Sequence, residues 1–144
     1  MLAENTVLTG RRAITRSYAK INLTLDVLSK RENGYHDIKM IMQTVSLFDL
    51  ILVDKMHRGI SISTNLPYLP CNEKNIAYKA ADAFFKATGI RGGAKIVIHK
   101  NIPVAAGLAG GSGNCAAVLT AMNMLHGNPL SNDELMHIGA SLGA

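Results

Sequence analysis

The chain has 144 residues, of which 48% are hydrophobic and 17% charged, the balance of a globular domain rather than a disordered chain. No apolar run approaches the ~18 residues of a membrane-spanning helix, and Cys71 and Cys115, outside any C-x-x-C pair, make neither a metal framework nor a disulfide scaffold. The net charge of +5 is mild and suits an anionic ligand. Tyr18 is the one aromatic residue among the basic ones of 10–20, so nucleic acid is not the expected partner.

Residues 1–12 read as a loose N-terminal tail. Glu4 comes early and Arg11-Arg12 late, the reverse of a signal peptide, so a cytoplasmic location is expected. Strands are predicted near 12–18 and at 21–29, where "INLTLDVLS" alternates apolar and polar residues. Asn33-Gly34 is a turn signal. "IKMIMQTVSL" reads as a strand, Phe48-Asp49 as a short turn and "LILVDK" as a further strand. "GISIST" (59–64) alternates again, and "NLPYLPCNE" is a loop.

A helix is predicted from Asn75 to Thr88, with Ile76, Ala80, Phe84 and Ala87 on one face and Gly89 after its end. "AKIVIHK" (94–100) is a strand. A helix from about Asn114 to His126 ends at "GNP". "SNDE" (131–134) is a capping box that opens a last helix to about Leu142. Strands grouped first and helices later argue for an α+β fold with a largely antiparallel sheet.

The segment "PVAAGLAGGSGNCAAV" (103–118) is uncharged and rich in glycine and alanine. Glycines let the backbone approach a ligand closely, and the following helix offers free N–H groups and partial positive charge. Together they form a cradle for an anion, most naturally phosphate, with the Ser112 hydroxyl beside it. The bland alternative is a turn leading into a tightly packed helix. No Gly-Lys pair exists in the chain, so this is not the P-loop. Gly111-x-Gly113-x-x-Ala116 matches a dinucleotide fingerprint in letters, but that loop follows its strand at once, and here residues 100–110 intervene.

Four stretches occur in a familiar order: "AKINLTLDV" (19–27), "RENGYHDI" (31–38), "KNIAYKAA" (74–81) and "IPVAAGLAGGS" (102–112). Through them, residues 13–144 resemble the galactokinase/homoserine kinase/mevalonate kinase/phosphomevalonate kinase superfamily, and within it the kinases of cytidyl alcohols. The resemblance implies an N-terminal kinase domain of ribosomal-protein-S5-domain-2-like fold. Four or five strands would be packed with helices, with a left-handed β-α-β crossover at the phosphate loop. It implies transfer of the γ-phosphate of ATP, with Mg²⁺, to the 2-hydroxyl of a cytidine diphosphate methylerythritol on the non-mevalonate route to isoprenoid precursors.

Carried over by position, Lys20 is the active-site lysine. Asn22, Tyr35 and His36 face the substrate, with Tyr35-His36 at the cytosine. Asn75, Lys100, Pro103, Gly107, Leu108, Ala109, Gly110, Gly111, Ser112 and Gly113 hold ATP. No carboxylate stands out as a metal ligand.

Gly113 stands where the superfamily pairs Ser112 with a second hydroxyl. Cys115 replaces a usual alanine, near a helix N-terminus where a thiol becomes more acidic and open to alkylation, an effect that burial would oppose. The resemblance places the catalytic aspartate directly after Ala144 and a second domain beyond it. It therefore implies a nucleotide-binding half-site with turnover near background, and self-association through the surface that the second domain would cover. The rival readings are a folded fragment without function and an RNA-binding module.

Overall fold

The structure is a computed structural model and describes residues 3–30, 32 and 34–143. Asn33 of the expected turn and Arg31 of the 31–38 stretch lie outside the described residues. Five strands and three helices follow in the order β1 (Thr6–Thr9), β2 (Arg12–Lys30), β3 (His36–Met56), β4 (Gly59–Thr64), α1 (Ile76–Thr88), β5 (Gly93–His99), α2 (Gly110–Leu125) and α3 (Asn132–Ser141). The sheet order is β1-β2-β3-β5-β4. Only the pair β4–β5, joined through α1, is parallel. The α+β class and the largely antiparallel sheet agree with the sequence reading.

One face of the sheet is covered. Ala13, Thr15, Ser17 and Ala19 of β2 alternate inward, as do Asp49, Ile51 and Val53 of β3 and Ala94, Ile96 and Ile98 of β5. Period-two alternation puts each set on a single face, and α1 and α2 pack there. Asn75 caps α1 by accepting from the Ala77 N–H at 2.9 Å. Gly89, at φ 67°, closes it by donating its N–H to the Phe85 carbonyl. The buried side of α1 is Ala77, Ala80, Ala81 and Phe84, rotated slightly from the expected stripe. Helix α2 is buried nearly all round, as a central helix must be.

The capping box of α3 is present: Ser131 N–H donates to Glu134 Oε2 at 2.7 Å, and Glu134 N–H to Ser131 Oγ at 3.3 Å. The Ser131 N–H and, secondarily, its hydroxyl, which donates to Glu134 Oε2 at 2.9 Å, hold the Glu134 carboxyl below its ordinary range.

The elements differ from the sequence reading in three places. Residues 6–9, expected in a loose tail, form the edge strand β1, held by the antiparallel ladder to β2 and by a buried Thr6–Thr15 hydroxyl bond of 2.9 Å. The strands expected at 12–18 and 21–29 are one strand, and the gap between them coincides with a register shift between Tyr18 and Lys20. Bulges of this kind bend a strand without ending it.

The expected turn at Phe48-Asp49 does not exist, because β3 runs through it. Phe48 packs edge-on against Tyr18 across the ladder, with ring centroids 5.4 Å apart, under the Arg16 guanidinium. Asp49 finds its hydrogen-bond partners more than fifty residues away, where no local propensity could show them.

At the far end of α2, His126 packs between Phe84 and Phe85. Burial, and secondarily the Lys55 charge, lower its pKa from the ordinary 6.5. Below that pH the unfolded chain takes a proton at His126 that the folded chain resists. This contribution to stability is therefore present above about pH 6.5 and lost on acidification. The melting temperature is expected to drop between about pH 7.5 and pH 5.5. His126→Phe, which keeps the ring and removes the titration, should flatten that dependence; an unchanged slope would assign it to other groups.

Candidate functional site

Between β5 and α2 the chain makes the loop that the sequence singled out. Two of its alanines, Ala105 (φ 57°) and Ala109 (φ 60°), adopt the left-handed conformation beside Gly107 (φ 71°). Left-handed non-glycine residues cost of order 1–3 kcal/mol each and concentrate where function requires the shape. Helix α2 begins at Gly110, four residues before the predicted start. Glycines disfavour a helix by ~1 kcal/mol each, but here contact with the sheet requires them. A Cβ on Gly110 would lie 2.7 Å from Lys100 Nζ, and one on Gly113 would lie 2.5 Å from Ser17 Oγ. The first turn of α2 therefore sits on a polar row formed by Ser17, Asp49 and Lys100.

That row is closely made. Asp49 is fully buried and accepts from Lys100 Nζ at 2.6 Å, from Asn101 N–H at 2.7 Å and from Ile102 N–H at 2.8 Å. Lys100, 8% exposed, also donates from Nζ to the Ile102 carbonyl at 2.9 Å. Strand β2 holds the other side of the loop, where the Lys20 N–H donates to the Leu108 carbonyl at 3.2 Å. This single bond joins the first and last of the four quoted stretches. The Lys20 ammonium donates to Asn22 Oδ1 at 3.2 Å, on the shared strand face that their spacing predicts.

The loop, the start of α2 and the segments 69–70 and 74–76 enclose a cavity of about 470 Å³, within the range of small-molecule sites. Of the expected ATP residues, Asn75, Lys100, Pro103 and 107–112 line it, and Gly113 does not, being turned onto Ser17. Asn75 lines the wall with its amide engaged, since Oδ1 caps α1 and Nδ2 donates to the Pro70 carbonyl at 2.8 Å. Lys74, which the sequence reading passed over, also faces the cavity. No carboxylate lines it among the described residues. The Lys100 charge is matched by Asp49, so Lys74, the loop amides and a helix N-terminus are what favour an anion there.

Tyr35 and His36 lie elsewhere. His36 pairs with Lys30 near the tip of the β2–β3 arm, ten residues from Lys20, a contour of ~33 Å at the usual strand rise. Tyr35 is 74% exposed. The structure unites Lys20 with the glycine loop and leaves the expected cytosine contacts out on the arm.

At Cys115 the opposing effect of burial prevails. The residue is buried in α2, and burial pushes its thiol up to about 11, so desolvation outweighs the helix N-terminus. Under native conditions, a thiol reagent is expected to modify exposed Cys71 promptly and Cys115 only after denaturant is added. Rapid titration of both thiols in the folded chain would refute this.

Residues 75–144 match the family described as GHMP kinases N terminal domain. The chain is 50% identical over 129 residues to a 4-diphosphocytidyl-2-C-methyl-D-erythritol kinase of Clostridium botulinum, covering 90% of the chain and 46% of the relative. It is 51% identical over 132 residues to the like-named protein of Caldicellulosiruptor saccharolyticus, covering 91% and 46%. Among solved structures, a 4-(cytidine 5'-diphospho)-2C-methyl-D-erythritol kinase superposes with a TM-score of 0.79 at 35% identity, over 91% of this chain and 46% of that one. A homoserine kinase from Cytophaga hutchinsonii, at 17% identity and a TM-score of 0.73, shares the fold. The chain spans about half the length of the curated relatives it matches.

Proposed function

The chain belongs to the GHMP kinases by its N-terminal domain, and from that premise we propose that it supplies the ATP-phosphate cradle and the active-site lysine of a kinase. Its acceptor is the 2-hydroxyl of 4-diphosphocytidyl-2-C-methyl-D-erythritol. The observation that carries this reading is the backbone bond from Lys20 to Leu108, which sets the lysine against the glycine loop.

Phosphoryl transfer asks the protein for alignment and charge neutralisation more than for covalent chemistry. The N–H groups at the start of α2 and the left-handed loop receive the phosphates. The Lys20 ammonium stabilises the charge that develops as the acceptor oxygen replaces the ADP oxygen on phosphorus. The acceptor proton is not assigned to any residue of 3–143, since no carboxylate of the described residues lines the cavity.

Among the described residues no cluster of three His, Cys, Asp or Glu could hold a metal. For an Mg²⁺ brought by ATP, the Ser112 hydroxyl and Asn114 Oδ1, both on the cavity wall and the latter without a hydrogen-bond partner, would be the side-chain oxygens at hand. Such an ion supplies neutralisation of phosphate charge. Tyr35 and His36 stand on the arm, ten residues along β2 from Lys20, so the cytosine contact that the resemblance implies is not part of this cradle. No helix of the described residues is long and apolar enough to cross a membrane, and a cytoplasmic location is proposed with this function.

A fluorescent N-methylanthraniloyl ATP titrated into the 144-residue chain tests the cradle. Saturable binding displaced by ATP below ~1 mM, the upper end of ordinary Michaelis constants, is expected. Absence of any ATP-displaceable signal would overturn the reading.

The arm supports the self-association proposed with this function. Leu23, Leu25, Val27, Leu28, Ile41 and Met42 are exposed there. β1 pairs with β2 only as far as Thr15, and β5 with β3 only from Leu50, so both edges of the arm are open to pairing. Sedimentation should show association that Leu25→Lys reduces; a monomer at high concentration would count against it.

A further inference from the structure

We propose that Asp49 is a positioning residue for the nucleotide phosphates, acting through Lys100. The inference rests on the kinase reading and adds a residue that reading does not include. An ammonium carries three donors. Lys100 gives one to Asp49 Oδ2 at 2.6 Å and one to the Ile102 carbonyl at 2.9 Å, which leaves the third for a group in the cavity that Lys100 lines.

The same carboxylate fixes where the loop starts, because its other oxygen accepts the N–H groups of Asn101 and Ile102. Asn101 in turn donates from Nδ2 to the Phe48 carbonyl at 2.9 Å. Asp49 is a strand residue with a fully buried side chain, so it transmits the rigidity of the sheet to both the cation and the loop. Gly110 completes the device, since a side chain there would displace the ammonium. A buried pair that served stability alone could be replaced by apolar residues at little cost. Here the ammonium sits beneath the first residue of the helix that receives the anion.

The test is a double-mutant cycle read by binding of N-methylanthraniloyl ATP to the 144-residue chain, with the melting temperature of each variant recorded. Asp49→Asn keeps an acceptor for the two N–H groups and releases the ammonium. A loss of ~10-fold or more in affinity is expected, the size of one charged hydrogen bond. Lys100→Met should lose a similar amount, and the double variant Asp49→Asn/Lys100→Met no more than either single one, because both changes remove the same contact. The double variant leaves no buried charge unpaired and serves as the folded reference should a single variant fail to fold. It must bind ATP more weakly than the wild type.

Wild-type affinity in the double variant, or losses that simply add, would overturn the proposal. If the wild-type chain binds ATP and the variants bind it equally well, this inference alone fails. If the wild type does not bind ATP, the kinase reading fails with it.

Discussion

Asp49→Ala is expected to lower the unfolding free energy by about 3–5 kcal/mol, the usual cost of stranding one member of a buried ion pair. The carboxylate is fully buried and satisfies three donors. Its removal leaves the Lys100 ammonium without its counter-charge and two backbone N–H groups without acceptors. Against the ~5–15 kcal/mol of an ordinary domain, that loss takes a large part of the total.

The first turn of α2 should suffer with it, because Gly110 rests on Lys100 Nζ. Lys100→Met added to Asp49→Ala should recover part of the loss by removing the stranded charge. Urea denaturation of the three variants measures this. A shift equivalent to less than ~1 kcal/mol for Asp49→Ala, the size of an ordinary neutral hydrogen bond, would show that the pair is not the anchor described.

Lys20→Ala should lower phosphoryl transfer by ~10²–10³-fold, as loss of one preorganised group facing developing charge commonly does, with ATP affinity nearly unchanged. The separation follows from geometry. Lys20 holds the loop through its backbone N–H to the Leu108 carbonyl, which alanine retains, while the side chain reaches towards Asn22. Coupled ADP release with the cytidyl acceptor measures the first quantity, on the chain joined to the C-terminal half of its 50%-identical relative. The nucleotide titration measures the second. Affinity falling in step with transfer would recast Lys20 as a binding residue, and an undiminished rate would remove it from the mechanism.

Much of the site was legible along the chain. The glycine loop, the capping box of α3, and the order of motifs are local patterns, and local patterns have local physical causes: caps satisfy neighbouring N–H groups, and glycines permit left-handed or crowded backbone. Asp49 was not legible. An aspartate beside an apolar strand reads as a turn, because its short polar side chain favours turns, and the partners that hold it in a strand are Lys100, Asn101 and Ile102. The spacing Asp49, Ile51, Val53 was the available signal, since it places the aspartate on the buried face of β3. The early start of α2 was hidden for a related reason. Glycines weaken a helix by propensity and here were selected by what lies beneath them.

By itself, the sequence determined the α+β class, the antiparallel bias of the sheet, the position of the glycine-rich segment and the placement of Lys20 and Asn22 on one strand face. These depend on periodicity and on neighbours a few residues apart. Only the tertiary structure decided that Lys20 touches the loop, that Lys100 is spent on Asp49 as well as on the cavity, that Cys115 is too deeply buried to act as a reactive thiol, and that Tyr35 and His36 stand on an arm away from the cradle. The first three of these are set by contacts between residues tens of positions apart, where burial and charge neutralisation outweigh what any residue prefers alone.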